Sequence, residues 1–244
     1  MSDRRDRGAA DGFWEDAGRV GYEDALFRSQ RVARHVLTKQ WREALVAART
    51  VGIQTSAAVL ELGCGDGTFA IEVLAPRYRQ VDAMDKSSAA IDRARARTAA
   101  RHVRFHVADV TAHRYAPGER WDGAFLIGFL HHVKPWASSV IEHLAAVAPR
   151  VVVMEPNGNQ PVRKLLEWLP AYRRAGEESF TFGELVDMFT RAGYELRTSR
   201  TINLFPPFTP DALYPVGARI ERWIEGRRGI GELCSSRVLG FARR

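Results

Sequence analysis

Val59-Leu60-Glu61-Leu62-Gly63-Cys64-Gly65-Asp66-Gly67-Thr68-Phe69-Ala70 is the stretch on which the reading of the chain turns. Val59, Leu60 and Leu62 form a short apolar run without alternation, the pattern of a parallel strand covered on both faces. Gly63, Gly65 and Gly67 follow, residues that reach backbone angles closed to others and leave a ligand room against the main chain. Phe69, Ala70, Val73 and Leu74 then recur at helical spacing until Pro76. A strand, a glycine turn and a helix make the first unit of a nucleotide-binding α/β fold.

The glycine spacing narrows the ligand. A dinucleotide fingerprint has glycine at the first, third and sixth places. Counted from Gly63, the sixth place here is Thr68, and the third glycine comes one residue early at Gly67. No lysine follows the glycines, which excludes the phosphate-cradling P-loop. Glu61 followed by Gly63-Cys64-Gly65-Asp66-Gly67 instead resembles motif I of the class I S-adenosylmethionine (SAM) methyltransferases, an acid and then Gly-x-Gly-x-Gly. On these residues alone a structural turn without a ligand stays open as the alternative. The resemblance implies that Glu61, Gly63, Cys64, Gly65 and Gly67 line a SAM site, where backbone approach to the methionine and ribose matters more than a positive helix end.

Further along, Gln80-Val81-Asp82-Ala83-Met84-Asp85 reads as a second strand ending in an acid. Asp85 stands twenty positions after Gly65, near the separation expected of a ribose-binding carboxylate. Its two acceptor oxygens suit the paired hydroxyls of adenosine. Ser87 supplies an N-cap for the helix carried by Ala89, Ala90, Ile91, Ala94 and Ala96. A third strand, Val103 to Val107, runs into Ala108-Asp109-Val110. The resemblance implies that Asp109 bonds the exocyclic amine of adenine beside the apolar wall of Val110, and it adds Lys86 and Ile127 to the cofactor contacts. His102 and His106 share one strand face about 13 Å apart, too far for a single metal, and are expected to be surface or satisfied residues.

Trp121 to Gly128 is the fourth strand, and Phe129-Leu130-His131-His132-Val133 follows it directly. In open parallel sheets ligands sit beyond the carboxyl ends of strands near the topological switch, so the histidine pair falls where chemistry is expected. Imidazole can accept a proton from a hydroxyl near neutral pH. We assign His131 as a general base with His132 as its alternate or brace; a loop-bracing role for either stays open. Pro149 to Met154 forms a fifth strand closed by Glu155-Pro156-Asn157-Gly158-Asn159. Glu155 and Asn157 are candidates to orient the acceptor or the methionine end of SAM, with a turn-forming role for Asn157 as the alternative.

The remaining segments frame this core. Residues 1–12 read as a disordered tail. Phe13, Trp14 and Tyr22 precede a helical stretch from about Glu23 to Arg49, in which Val32, Val36, Leu37, Trp41 and Leu45 recur at helical spacing. Residues 13–50 are assigned as an N-terminal helical lid, with Tyr22 as an acceptor contact; a helix packed on the edge of the core is the plainer reading. Thr181-Phe182-Gly183-Glu184 matches a capping box and opens a further helix. Tyr194 to Leu204 and Ser236 to Ala242 read as strands around an insertion, 205–231, with a helix near Ala212 to Glu225. This closing pair resembles the family's antiparallel strands. The expected fold is a doubly wound, mostly parallel seven-stranded sheet over residues 51–244, with 156–180 and 205–231 as acceptor cover.

Composition sets outer bounds. At 244 residues the chain can bury one large α/β core without staples. It is 45% hydrophobic, yet no segment approaches the roughly 18–20 uninterrupted apolar residues of a membrane span. The charged start lacks the apolar stretch of a signal peptide, and Cys64 and Cys234 show no metal or redox spacing, so a cytoplasmic protein is expected. The formal net charge is +7, almost all of it arginine, with only Lys39, Lys86, Lys134 and Lys164 as lysines. Those arginines are scattered among acids and not joined to aromatics that would stack bases, so a nucleic-acid partner is not expected.

Taken together, the resemblance covers residues 57–155 strongly and the C-terminal strands weakly. It implies methyl transfer from SAM to a small-molecule acceptor, leaving S-adenosylhomocysteine (SAH), with O-methylation as the expected chemistry and no metal needed. The loop after strand four lacks the Asn/Asp-Pro-Pro-aromatic pattern of nucleic-acid amino-methylating enzymes. RNA or protein methylation, or SAM binding without transfer, are the alternatives.

Overall fold

The computed structural model describes residues 29–168, 178–204, 209–225 and 230–243. Seven strands form one sheet: β1 Ala58–Leu62, β2 Gln80–Asp85, β3 Val103–Val107, β4 Gly123–Ile127, β5 Arg150–Pro156, β6 Tyr194–Ile202 and β7 Ser236–Arg243. Their order is β3-β2-β1-β4-β5-β7-β6. The first five are parallel, and β7 runs antiparallel between β5 and β6. The doubly wound sheet with its closing antiparallel pair is therefore as expected.

Alternation along the central strands splits the core in two. Val59, Phe125, Val152, Met154 and Val238 point to one face. There they meet α1 (Gln30–Thr50) through Ala44, Ala47 and Ala48, with Val51 just past its end, and α2 (Ser88–Arg97) through Ile91 and Ala94. Leu60, Leu62, Leu126, Val153 and Phe241 point to the other, against α3 (Ala137–Ala145) and, beyond the short α4 (Pro161–Leu166), α5 (Phe182–Arg191). Both faces are covered, which is why the sequence of these strands shows no polar side. The apolar stripe of α1 thus lies on the sheet, alanines bringing it close; Phe13, Trp14, Tyr22 and the tail lie outside the described residues.

The helix starts follow the sequence. Ser29 accepts from Val32 N at 3.1 Å, Ser87 accepts from Ala90 N at 3.2 Å, and Thr181 with Glu184 closes a full capping box. The segment after the glycine turn differs from the predicted α-helix. Ala70–Leu74 is π-helical, with Ala75 N donating to Ala70 O at 2.8 Å.

The strand order reverses between β1 and β4, and this switch point is where ligands bind in open α/β sheets. The glycine turn leaves the carboxyl end of β1, and the histidine loop leaves that of β4. The segments after β5 and between β6 and β7 leave at the same edge, because Pro156 and Ile202 both pair with Ser236. The second of these carries α6 (Tyr214–Glu225).

Candidate active site

The glycine turn is built from left-handed backbone, with φ of +71° at Gly63, +53° at Gly65 and +75° at Gly67. Gly63 N and Cys64 N both donate to Met84 O, at 2.8 and 3.0 Å, stitching the turn to β2. The glycines then serve different ends. A side chain on Gly67 would stand 2.8 Å from Ala94 Cβ and from the Phe105 ring, so this position lets the turn pack on α2 and β3. One on Gly63 would fall 2.1 Å from the Phe129 ring, which the histidine loop lays over the turn. The space above Gly63 is thus shared with an aromatic residue that the sequence reading passed over.

Asp85 sits at the hub. Its Oδ2 accepts from Gly65 N at 2.8 Å and its Oδ1 from Ser87 N at 2.9 Å. A carboxylate offers about four lone-pair sites, so Asp85 can accept a ligand hydroxyl beside these amides. Burial raises its pKa while the amides of Ser87 and Gly65 pull it back. Lys86 is exposed beside it. Ala108 N donates to Asp85 O at 2.8 Å, which brings the end of β3 alongside. There Asp109 is exposed, its Oδ1 accepting from Thr111 N and Thr111 Oγ at 3.0 and 2.7 Å, and Val110 turns into the core. Ile127 is half-buried at the end of β4.

Glu61 lies beneath the turn, 2% exposed. Among the described residues its Oε2 finds no hydrogen-bond donor. Burial first, then the charges of Asp85 and Asp66, push its pKa well above the usual carboxylate range. An orphaned buried acceptor under a glycine turn fits a cationic ligand group, so the residues present suit the ammonium and ribose of SAM. Cys64 contributes backbone; burial, then Glu61 and Asp85, push its thiol up and away from reactivity.

The histidine loop is held from the next strand. Glu155 is 1% exposed at the end of β5. Its Oε1 accepts from Phe129 N and Leu130 N at 3.0 and 2.7 Å, and its Oε2 from His131 N at 3.3 Å and His131 Nδ1 at 2.6 Å. Three successive amides and one imidazole therefore converge on a single carboxylate. A proton on Nδ1 in that contact makes Nε2 the lone-pair nitrogen of His131. The His131 ring is 5% exposed and lies 3.8 Å, centroid to centroid, from the half-buried His132 ring.

Two of the acceptor contacts expected from the sequence are placed otherwise. Glu155 faces the histidine loop with both oxygens engaged, by the amides of Phe129, Leu130 and His131 and by His131 Nδ1. Asn157 is fully buried, with Nδ2 donating to Cys234 O at 3.0 Å and Oδ1 accepting from Asn159 N at 3.1 Å. It ties the end of β5 to the turn before β7, the turn role held as its alternative. The third, Tyr22, lies outside the described residues. His106 is satisfied by Asp82 at 3.2 Å, and His102 by Ala75 O at 3.0 Å, as read from their spacing. The sequence marks Glu155 as an acid closing one strand beside a histidine loop closing its neighbour, but not which way its carboxylate faces.

Residues 32–199 match the family model described as a methyltransferase domain, well over half of the chain. The chain belongs to this family, the class I SAM-dependent methyltransferases. Its fold is that of a SAM-dependent methyltransferase from Mesorhizobium loti (TM-score 0.58, 17% identity, covering 84% of this chain and 97% of that one). It is equally like the magnesium protoporphyrin IX methyltransferase of Synechocystis, solved with bound SAH (TM-score 0.59, 15% identity, 87% and 85% covered). A third is the N-methyltransferase NodS of Bradyrhizobium japonicum, also with SAH (TM-score 0.56, 16% identity, 84% and 86% covered). No curated protein matches the sequence. Among the described residues no helix is long and apolar enough to cross a membrane, and no three His, Cys, Asp or Glu side chains are grouped to hold a metal ion.

Proposed function

We propose that this methyltransferase moves the methyl group of SAM to a hydroxyl of a small-molecule acceptor, with His131 as general base. The observation that carries the reading is the 2.6 Å contact between His131 Nδ1 and Glu155 Oε2 at the carboxyl end of β4. SAM, when bound, supplies a methyl group made electrophilic by its sulfonium. Asp85 holds the ribose hydroxyls, Asp109 reads the adenine amine, and Glu61 takes the ammonium. Gly63, Gly65 and Gly67 bring backbone against the ligand.

His131 then acts on the acceptor. Nε2 removes the hydroxyl proton as the oxygen attacks in line, and the imidazolium that forms is balanced by Glu155. His132 braces the ring or exchanges roles with it. Holding both centres at attack distance supplies much of the rate. The segments 156–180 and 205–231 leave the sheet at the ligand edge and are assigned as acceptor cover, with residues 13–50 as the lid. A cytoplasmic enzyme acting on a metabolite, not on nucleic acid, completes the proposal.

The test is incubation with methyl-labelled SAM and fractionated cell metabolites. A labelled methyl ether, formed by wild type and lost in His131→Ala, is the expected result. Label on nitrogen, or in macromolecules alone, overturns the acceptor assignment.

A further inference from the structure

The apolar surface left on this protein is unevenly placed. Among the described residues nine large apolar side chains are exposed, and seven of them belong to the two segments that leave the sheet at its ligand edge. Leu165 and the 81% exposed Trp168 follow β5, and Leu233 ends the β6–β7 insertion. The other four lie on or just before α6, where Leu213, Val216, Ile220 and Trp223 recur at i, i+3, i+7 and i+10 and so form one stripe.

That stripe is not the side by which α6 is attached. Its inner side packs Ala218 against Val32 and Val36 of α1. Glu221 is buried there, contacting Lys39 and, at 2.7 Å, His35 Nε2, and accepting from Leu204 N at 2.7 Å. Glu225 adds a 2.8 Å pair with Lys39. The helix is thus anchored by one face and outwardly apolar on another. Arg219 and Arg222 are exposed between these faces. Beside the helix a groove of about 530 Å³ opens onto α1, lined by Arg31, Arg34, His35, Lys39, Arg42 and Tyr214 among others, with Arg31 stacked 4.4 Å over the Tyr214 ring.

An exposed apolar stripe with tryptophan, flanked by arginines, is the surface of a helix that lies in a membrane interface. We infer that α6 docks this methyltransferase on an anionic phospholipid bilayer, the stripe entering the acyl boundary and the arginines meeting headgroup phosphates. Charge complementarity selects the occupant: Arg219 and Arg222 on the stripe's flank, with Arg31 and Arg34 of the adjoining groove, match an anionic headgroup layer, while Lys39 and His35 of that groove are taken up by Glu221 and Glu225. Docked this way, the ligand edge of the sheet faces the bilayer. The inference does not depend on the acceptor or on the base.

The experiment is vesicle flotation of the full chain, with phosphatidylcholine alone and with phosphatidylglycerol added. Wild type should float with the anionic vesicles, remain behind with the neutral ones, and be released by salt. Val216→Ser, Ile220→Ser and Trp223→Ser together should cut partitioning at least ~10-fold, and Arg219→Glu with Arg222→Glu should do the same. All these side chains are exposed, and unchanged SAM affinity confirms that the variants fold. No flotation of wild type, or full flotation of the serine variant, overturns the inference. So does a wild-type dimer that the serine variant dissolves, since a second copy would then be the stripe's occupant.

Discussion

Gly65 N donates to Asp85 Oδ2 at 2.8 Å across twenty residues of sequence. One hydrogen bond thus joins the glycine turn to the carboxylate proposed to hold the ribose. Asp85→Ala removes the ligand acceptors and this tie together. SAM affinity should fall by about 1.5–3 kcal/mol, the worth of a hydrogen bond to a charged group, or roughly 10–150-fold. Titration calorimetry reads it, and an unchanged Kd in folded Asp85→Ala protein would take Asp85 out of the site.

His131→Ala should lower turnover by roughly 10²–10⁴ while SAM affinity stays near wild type. Glu155→Gln should also lower turnover, since an amide offers one acceptor oxygen where the carboxylate's two take four donors, and it no longer balances an imidazolium. His132→Ala should stay near wild type. Steady-state kinetics on the three variants separates base from brace: loss in His132→Ala alone would exchange the two roles, and full activity in all three would leave proximity as the source of rate.

Gly63→Ala would place a methyl group 2.1 Å from the Phe129 ring at a φ of +71°. The variant should lose SAM binding and melt lower, by an amount on the order of 1–3 kcal/mol for left-handed strain and overlap. Adding Phe129→Ala should recover part of the stability, because it removes the overlap and leaves the backbone strain. Thermal melts of the single and double variants decide this; no recovery would mean that Phe129 does not sit on the turn in solution.

Glu61 carries a stability penalty with a definite sign. Its folded pKa is raised, by burial and then by Asp85 and Asp66, so the folded state holds the proton longer than the unfolded chain does. The stability this gives is complete below the unfolded value of about 4.3 and fades as pH rises toward the folded one. Glu61→Gln should therefore flatten the fall in ligand-free stability above about pH 4.3. The same change should weaken SAM binding, because a neutral amide no longer meets the ammonium. Melts across pH, paired with calorimetry, check both halves; a variant that keeps the wild-type pH slope would remove Glu61 as its source.

The sheet was legible because burial on both faces leaves an unmistakable mark, as in Val151-Val152-Val153-Met154. Asp85 was legible through its distance from Gly65, a spacing set by one strand–helix–strand unit. Glu155 was not, because its partners belong to another strand end and nothing local separates a carboxylate facing a ligand from one facing a neighbouring loop. Asn157 was ambiguous for the same reason. The π-helical form of Ala70–Leu74 escaped too, since over five residues the apolar pattern does not distinguish a 3.6-residue from a wider turn.

Helix α1 crosses the molecule from one edge to the other. Gln40 Nε2 reaches Ser236 Oγ at 3.4 Å near the ligand edge, while Gly52 just past the helix approaches Arg150 at the far one. Strand β7 ends at that far edge, where Arg243 N donates to Pro149 O at 2.8 Å. The two directions of tethering are therefore unequal. A fusion partner or surface linkage attached beyond Arg243 hangs from the side away from the cofactor, and leaves the mouth open to solvent. Ser29, by contrast, stands beside the docking helix, its hydroxyl bonded to Asp211, so a load fixed at that end of α1 competes for the space in front of the mouth.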